Sequence, residues 1–312
     1  MGKRPGLDFI ETVEPVDKKL IELGIDPGLH KKLYLEPVSF TELKYEQKEE
    51  VVDFYTGRWK HILVPEWHAG KIKTSIKTTG MPLDDVIRMC AWEQLHTSGN
   101  FFPEGQMVLV KDGRPAILTR SQPWHVPDIS DIDKYFEIHY PNKWGLVSGD
   151  YGCGYPWIPM LVNGEPQKFK DYDEILSPDD DVIISNYALT GNPRFKVSGA
   201  SRAAVYERAA FAVNRGIKHC DTCSPLNNYS KWIAEKKREY PDYECTPEKF
   251  IEENVVIPLN EGIEPKYYTA VGMHMKYGAR SMKILPGARE DDEDSDGHCG
   301  FCRYFLKPSS NF

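Results

Sequence analysis

The sequence predicts an α+β fold, with a hairpin-rich middle, a helical N-terminal segment and a helical C-terminal half. Two turn dipeptides, Asp112-Gly113 and Asn163-Gly164, sit between apolar runs, where positive φ angles let two strands fold back on each other. Apolar residues at helical spacing fall on either side of that middle, so helices and hairpins are segregated rather than alternating as βαβ units. At 312 residues, with 40% apolar and 28% charged residues, the chain can bury a core without disulfide or metal staples.

Residues 14–57 read as helical in patches, and Val51-Val52-Asp53-Phe54-Tyr55 closes a charged amphipathic run. Pro82, Asp84 and Asp85 open a second helix, because acidic residues in a first turn complement the positive end of the helix dipole. That helix runs through Ile87, Cys90, Ala91, Trp92 and Leu95 to His96, and Gly99-Asn100 stops it. Met107–Val110 and Ala116–Leu118 form the arms of the first hairpin. A second spans 157–169, and Val182-Ile183-Ile184 is a further strand. Ser198 or Ser201 caps a helix through Val205, Ala209, Ala212 and Val213, ended by Gly216. Helices also fit 229–239, 247–256 and 265–277. The chain has no internal repeat, and 1–312 reads as one mixed domain, with a division into 1–150 and 151–312 as the alternative.

A formal net charge of −8 argues against generic nucleic-acid binding, which needs a basic surface to displace counterions. The cluster Lys231, Lys236, Lys237 and Arg238 reads as the solvated face of one helix. No apolar stretch is long enough for a membrane span, and Met1-Gly-Lys-Arg-Pro-Gly6 lacks both a signal-peptide core and the myristoylation pattern. Seven cysteines without an export signal predict a cytoplasmic protein whose paired thiols are ligands rather than disulfides. Aromatic residues, at 12%, suit a core, a pocket, or a surface for a protein partner or a second copy.

The strongest chemical signal is Cys220-Asp-Thr-Cys223 with Cys299-Gly-Phe-Cys302. Two such pairs can close a tetrahedron of thiolates around Zn²⁺, and the same four ligands suit a [4Fe-4S] cluster. His219 and His298 precede the pairs as spare ligands or supporting donors. Four thiolates leave zinc no open position, so the expected role is structural. Asp292-Glu-Asp294-Ser-Asp296-Gly297 matches the first half of a calcium loop, but Arg303 stands where the bidentate Glu belongs, and a solvated charge run is the favoured reading.

Other candidates are more local. Glu93 and His96 have the Glu-x-x-His spacing of carboxylate metal sites, with His61, Glu66 and His68 as further ligands. Cys153 stands as a lone thiol in the glycine-rich run Gly149–Gly154, which is no dinucleotide cradle because its spacing is not Gly-x-Gly-x-x-Gly. Glu93, His96 and Cys153 are therefore the catalytic candidates. Gly199-Ala-Ser201-Arg-Ala203 has nucleophile-elbow spacing, with Asp242 and His274 as nominal partners, although a capped helix start explains it better. Ser198, Gly199, Ser201 and Arg202 also make an anion site, with free amides and a guanidinium at a helix start. The function these readings imply is a cytoplasmic metal-binding enzyme or enzyme subunit, with oxidoreductase as the leading class. The alternative is a zinc-stabilised, non-catalytic binding or assembly subunit.

Overall fold

The computed structural model describes residues 28–59, 80–125, 159–162, 165–168, 182–214, 217, 219–286 and 292–306. It combines helices with antiparallel sheet, an α+β arrangement, in two compact units, Met1–Lys218 and His219–Phe312.

The first unit opens with the short helix α1 (Leu29–Lys32), strand β1 (Glu36–Ser39), and helices α2 (Tyr45–Trp59) and α3 (Leu83–Phe101). Strands β2 (Gln106–Lys111) and β3 (Arg114–His125) form the first expected hairpin, with Asp112 and Gly113 at φ 50° and 76° in the turn. Strands β4 (Pro159–Val162) and β5 (Glu165–Lys168) pair as a separate antiparallel ribbon, while their turn, Asn163-Gly164, lies outside the described residues. Strand β6 (Val182–Gly191) extends well past the three residues expected and precedes helix α4 (Ala200–Asn214). The sheet order in this unit is β1-β2-β3-β6, antiparallel throughout.

Alternation along the two central strands places helices on both faces of that sheet. Val108, Val110 and Leu118 join the core of α2 and α3, around Phe40, Val51, Val86 and Leu95. Leu109 and Ile117 turn the other way, into a core with Leu35, Ala200, Ala203 and Ala204. A bulge leaves Ala116 as the extra residue of β3 and adds it to this second core. Helix α4 is buried nearly all round, so its charged side chains require partners. Glu207 pairs with His30, and Arg208 donates to the Glu104 carbonyl at 2.6 Å and to the Thr119 hydroxyl. On β3, buried Arg120 donates to Gln106 Oε1 at 2.9 Å and to the Tyr55 hydroxyl.

The second unit holds strands β7 (His219–Pro225), β8 (Arg280–Leu285) and β9 (Cys299–Phe305), in the order β7-β9-β8. Helix α5 (Tyr229–Glu239) has the expected limits. Helix α6 (Pro247–Ile251) starts on a Thr246 cap, passes through a π turn at Glu252–Val256 and continues as α7 (Ile257–Glu261). Pro258 explains the wide turn: it lacks the N–H that an α-helix would donate four residues back, and its ring crowds the carbonyl there. Asn254 restores one bond by donating from its side chain to the Phe250 carbonyl at 3.0 Å. Helix α8 (Ala270–Lys276) is capped by Thr269, which accepts from Gly272 N at 2.8 Å. Tyr229, Trp232 and Phe250 form an aromatic core with ring centroids 5.3–5.8 Å apart.

Gly105 gives a direct test of the first unit. An added Cβ would lie 2.0 Å from Phe102 Cδ1 and 2.5 Å from the Ser121 carbonyl oxygen, whereas one at Gly57 meets nothing within 4 Å. Gly105→Ala should cost about 2–3 kcal/mol by forcing backbone apart. Gly57→Ala, on an exposed helix position, should instead add up to about 1 kcal/mol. Urea midpoints of the two variants should move in opposite directions.

Candidate functional site

Strand geometry decides the fate of the paired cysteines. In β7 and β9 the register is Cys220↔Tyr304, Thr222↔Cys302, Cys223↔Phe301 and Pro225↔Cys299. Residues directly opposite share a face, and successive residues alternate. Positions 220 and 302 therefore lie on one face of the sheet, and positions 223 and 299 on the other. A Cys-x-x-Cys ligand pair needs a turn to aim both sulfurs at one ion; an extended strand separates them by the thickness of the sheet. In this register the positions Cys220, Cys223, Cys299 and Cys302 do not share one face of the sheet, and among the described residues no group of three His, Cys, Asp or Glu side chains is placed to hold a metal ion.

The surroundings agree. Cys220, Cys299 and Cys302 are fully buried, and burial, with the Asp221 carboxylate adding to it, pushes the Cys302 thiol up to about 12. Burial thus favours the neutral thiol. His298 Nδ1 lies 2.6 Å from the Asp296 carbonyl, and the His219 ring stands edge-on to Phe305. In the acidic loop, Asp294 accepts from the Asn228 amide at 2.9 Å and Ser230 donates to the Glu293 carbonyl, so the loop seats the start of α5.

In place of a metal, an ion pair joins the two strands. Asp221 and Arg303 face each other in register, with Nε–Oδ1 and Nη2–Oδ2 both at 2.7 Å and both side chains at most 2% exposed. On the opposite face His274 is buried, with Nδ1 2.9 Å from the Tyr304 hydroxyl and Nε2 3.5 Å from Thr222 Oγ1. Burial pulls the His274 ring down to about 4, so it stays neutral in the fold.

The residues of the anion reading lie at the start of α4. Beyond β6, Asn192 ties the chain down: its amide donates to the Ala116 carbonyl, its Nδ2 donates to the Pro115 carbonyl and to Glu50 Oε1, and its Oδ1 accepts from Arg194 N, all at 2.8–2.9 Å. Gly199 then takes φ +83°, and an added Cβ there would lie 3.0 Å from Leu33 Cδ1. Ala200 N donates back to Val197, and α4 begins. Ser198, Gly199 and Arg202 are exposed at that helix start, Ser201 is half-buried, exposed Lys196 lies just before it, and the first turn has no acidic residue. The Arg202 guanidinium lies over Tyr206, with Nε 2.6 Å from its hydroxyl.

Cys153, His61, Glu66 and His68 lie outside the described residues, and of Glu93 only the helical backbone is described. His96 Nδ1 lies 3.0 Å from Asn100 Nδ2 one turn on. Ser201 stands inside the first turn of α4, well after β6 ends, and not at the sharp strand-to-helix turn an elbow requires. Asp221–Arg303 was missed because nothing in the spacing marks Asp221 as more than a residue between two cysteines.

No family model matches the chain, and no curated protein does. Solved structures with a similar fold include the GphF GNAT-like decarboxylase in complex with isobutyryl-CoA, at 17% identity and a TM-score of 0.44 over 70% of this chain and 85% of that one. The loading GNATL domain of CurA from Lyngbya majuscula matches at 14% and 0.44, over 88% and 98%. A protein described only as an acetyltransferase matches at 10% and 0.40, over 87% and 100%. With the cysteines split across the sheet, the metal-binding oxidoreductase reading is withdrawn, and with it the zinc-stabilised assembly subunit. Among the described residues, no helix is long and apolar enough to cross a membrane.

Two measurements test this region. Peptide mapping after alkylation at pH 8 should find Cys245, which is half-buried, modified in the native protein, and Cys220, Cys299 and Cys302 protected until urea unfolds it. Rapid native labelling of Cys302 would contradict its burial. His274 makes the second unit acid-sensitive. Its ordinary value of 6.5 holds in the unfolded chain, so below that pH the unfolded state takes a proton that the fold refuses until about 4. Stability is present above pH 6.5 and falls toward pH 4 by up to about 3 kcal/mol. The drop in urea midpoint between pH 7.5 and 5 should shrink in His274→Gln.

Proposed function

We propose that this chain is an acyl-CoA-handling enzyme and that the start of α4 holds the phosphates of the thioester cofactor. One observation carries the reading. Strand β6 leads, through a turn closed by Gly199 at φ +83°, into an exposed helix start that carries Lys196, Ser198, Ser201 and Arg202 along the chain and no carboxylate in the first turn. The first N–H groups of a helix lack acceptors within it and carry the positive end of its dipole, so such a start favours a phosphate.

Strand β6 supports an elongated ligand. Its register against β3 shifts between Arg120 and Ser121, which leaves the backbone of Tyr187 out of that ladder. Bulges of this kind free peptide groups beside binding sites. A coenzyme A thioester combines a diphosphate with an arm containing two amides, and so has a group for each feature. The protein contribution at this site is binding and orientation of the thioester.

Titration calorimetry with coenzyme A at low and high salt tests the proposal. Binding should weaken with salt, pantetheine without the phosphates should bind at least about tenfold more weakly, and Arg202→Glu should lose a similar factor, about 1.4 kcal/mol. Gly199→Val should do the same, because a β-branched residue resists that φ. Equal affinity for pantetheine, or an unchanged Kd in Arg202→Glu, would remove the phosphate site.

A further inference from the structure

We propose that a cleft between α2 and the turn after β6 is a separate binding site for a small zwitterion, a ligand with an ammonium at one end and a carboxylate at the other. The cleft encloses about 350 Å³, within the range of small-molecule sites. Helix α2 lines it with Glu50, Asp53, Phe54 and Gly57, which share one helix face at spacings of three and four. The other wall is the segment 191–194.

The two walls differ in charge. On the α2 side, Arg88 pairs with both Glu49 and Asp53, and Arg114 pairs with Glu50. The two carboxylates that line the cleft, Glu50 and Asp53, thus each meet one guanidinium, Arg88 being shared with Glu49 outside the cleft, and neither arginine lines it. Both hydrogen bonds to Glu50 reach Oε1, so Oε2 is open to a ligand donor. Across the cleft, the backbone of Arg194 is fixed by Asn192 Oδ1, and its exposed guanidinium pairs with no carboxylate among the described residues. An ammonium fits the first wall and a carboxylate the second, while Phe54 and Pro193 supply apolar surface between them. A simple cation would leave Arg194 unanswered, and a simple anion would face the carboxylates.

Room is also built in. Gly57 and Gly191 line the cleft without positive φ, and a Cβ on either meets nothing within 4 Å. Neither glycine is required by its backbone. The cleft lies against α2, on the sheet face opposite α4, so the proposal is independent of the acyl-CoA reading.

The test is a thermal-shift screen of ω-amino acids of increasing length, from β-alanine to 6-aminohexanoate, at millimolar concentration on the full chain, followed by calorimetry of the best binder. That binder should be at least tenfold tighter than its decarboxylated amine and its deaminated acid. Gly57→Leu should abolish binding by filling the cleft, with the melting temperature equal to or above that of the parent, as for Gly57→Ala, and the coenzyme A titration unchanged. Arg194→Gln, at an exposed position, should remove the preference for the zwitterion over the amine. No amino acid raising the melting temperature, an amine as tight as its parent, or full binding by Gly57→Leu would each overturn the proposal.

Discussion

Successive side chains of a β-strand point to opposite faces, and that period of two governs both units of this protein. In the first it divides β2 and β3 into two apolar rows, so that α2 and α3 can cover one face while α1 and α4 cover the other. A single bulge at Ala116 adjusts the second row without disturbing the first. In the second unit the same alternation takes two cysteine pairs with ligand spacing and sends the members of each to opposite sides. One geometric rule thus builds the layered core and dismantles the metal site.

Closure of the second unit falls to the ladder between β7 and β9 and to Asp221–Arg303. A buried pair adds little net stability over apolar residues of the same volume, but losing one partner strands a charge and costs about 3–5 kcal/mol. Such a pair is better suited to fixing register: a slip of one residue would carry Asp221 to the face of His274 and Tyr304, away from Arg303. Buried charge in the first unit is handled alike, with Glu207, Arg208 and Arg120 each bonded across elements.

The turn after β6 links the two proposed sites. Asn192 binds Pro115, Ala116 and Glu50 together, and from that knot the chain passes first the wall of the cleft and then the start of α4. Gly199 closes the passage where Leu33 leaves no room for a side chain. A segment anchored at Asn192 in this way can carry binding groups on both sides of a sheet.

Local signals were legible in the sequence. Asp112-Gly113 specifies a hairpin because few residues other than Asp, Asn and Gly tolerate positive φ. The limits of α5 and the grouping of Ser198, Gly199, Ser201 and Arg202 at one helix start follow equally from contacts within a few residues. The paired cysteines were legible only as a spacing. Whether two residues between cysteines form a knuckle or part of a strand depends on β9 pairing with β7, a contact between segments far apart along the chain. The same holds for Asp221 with Arg303 and for a cleft that joins α2 to the end of β6. Sequence alone determined the turns, caps and helical faces, whose energies are local; tertiary structure decided which side chains converge, because strand pairing sets the face on which each one lies.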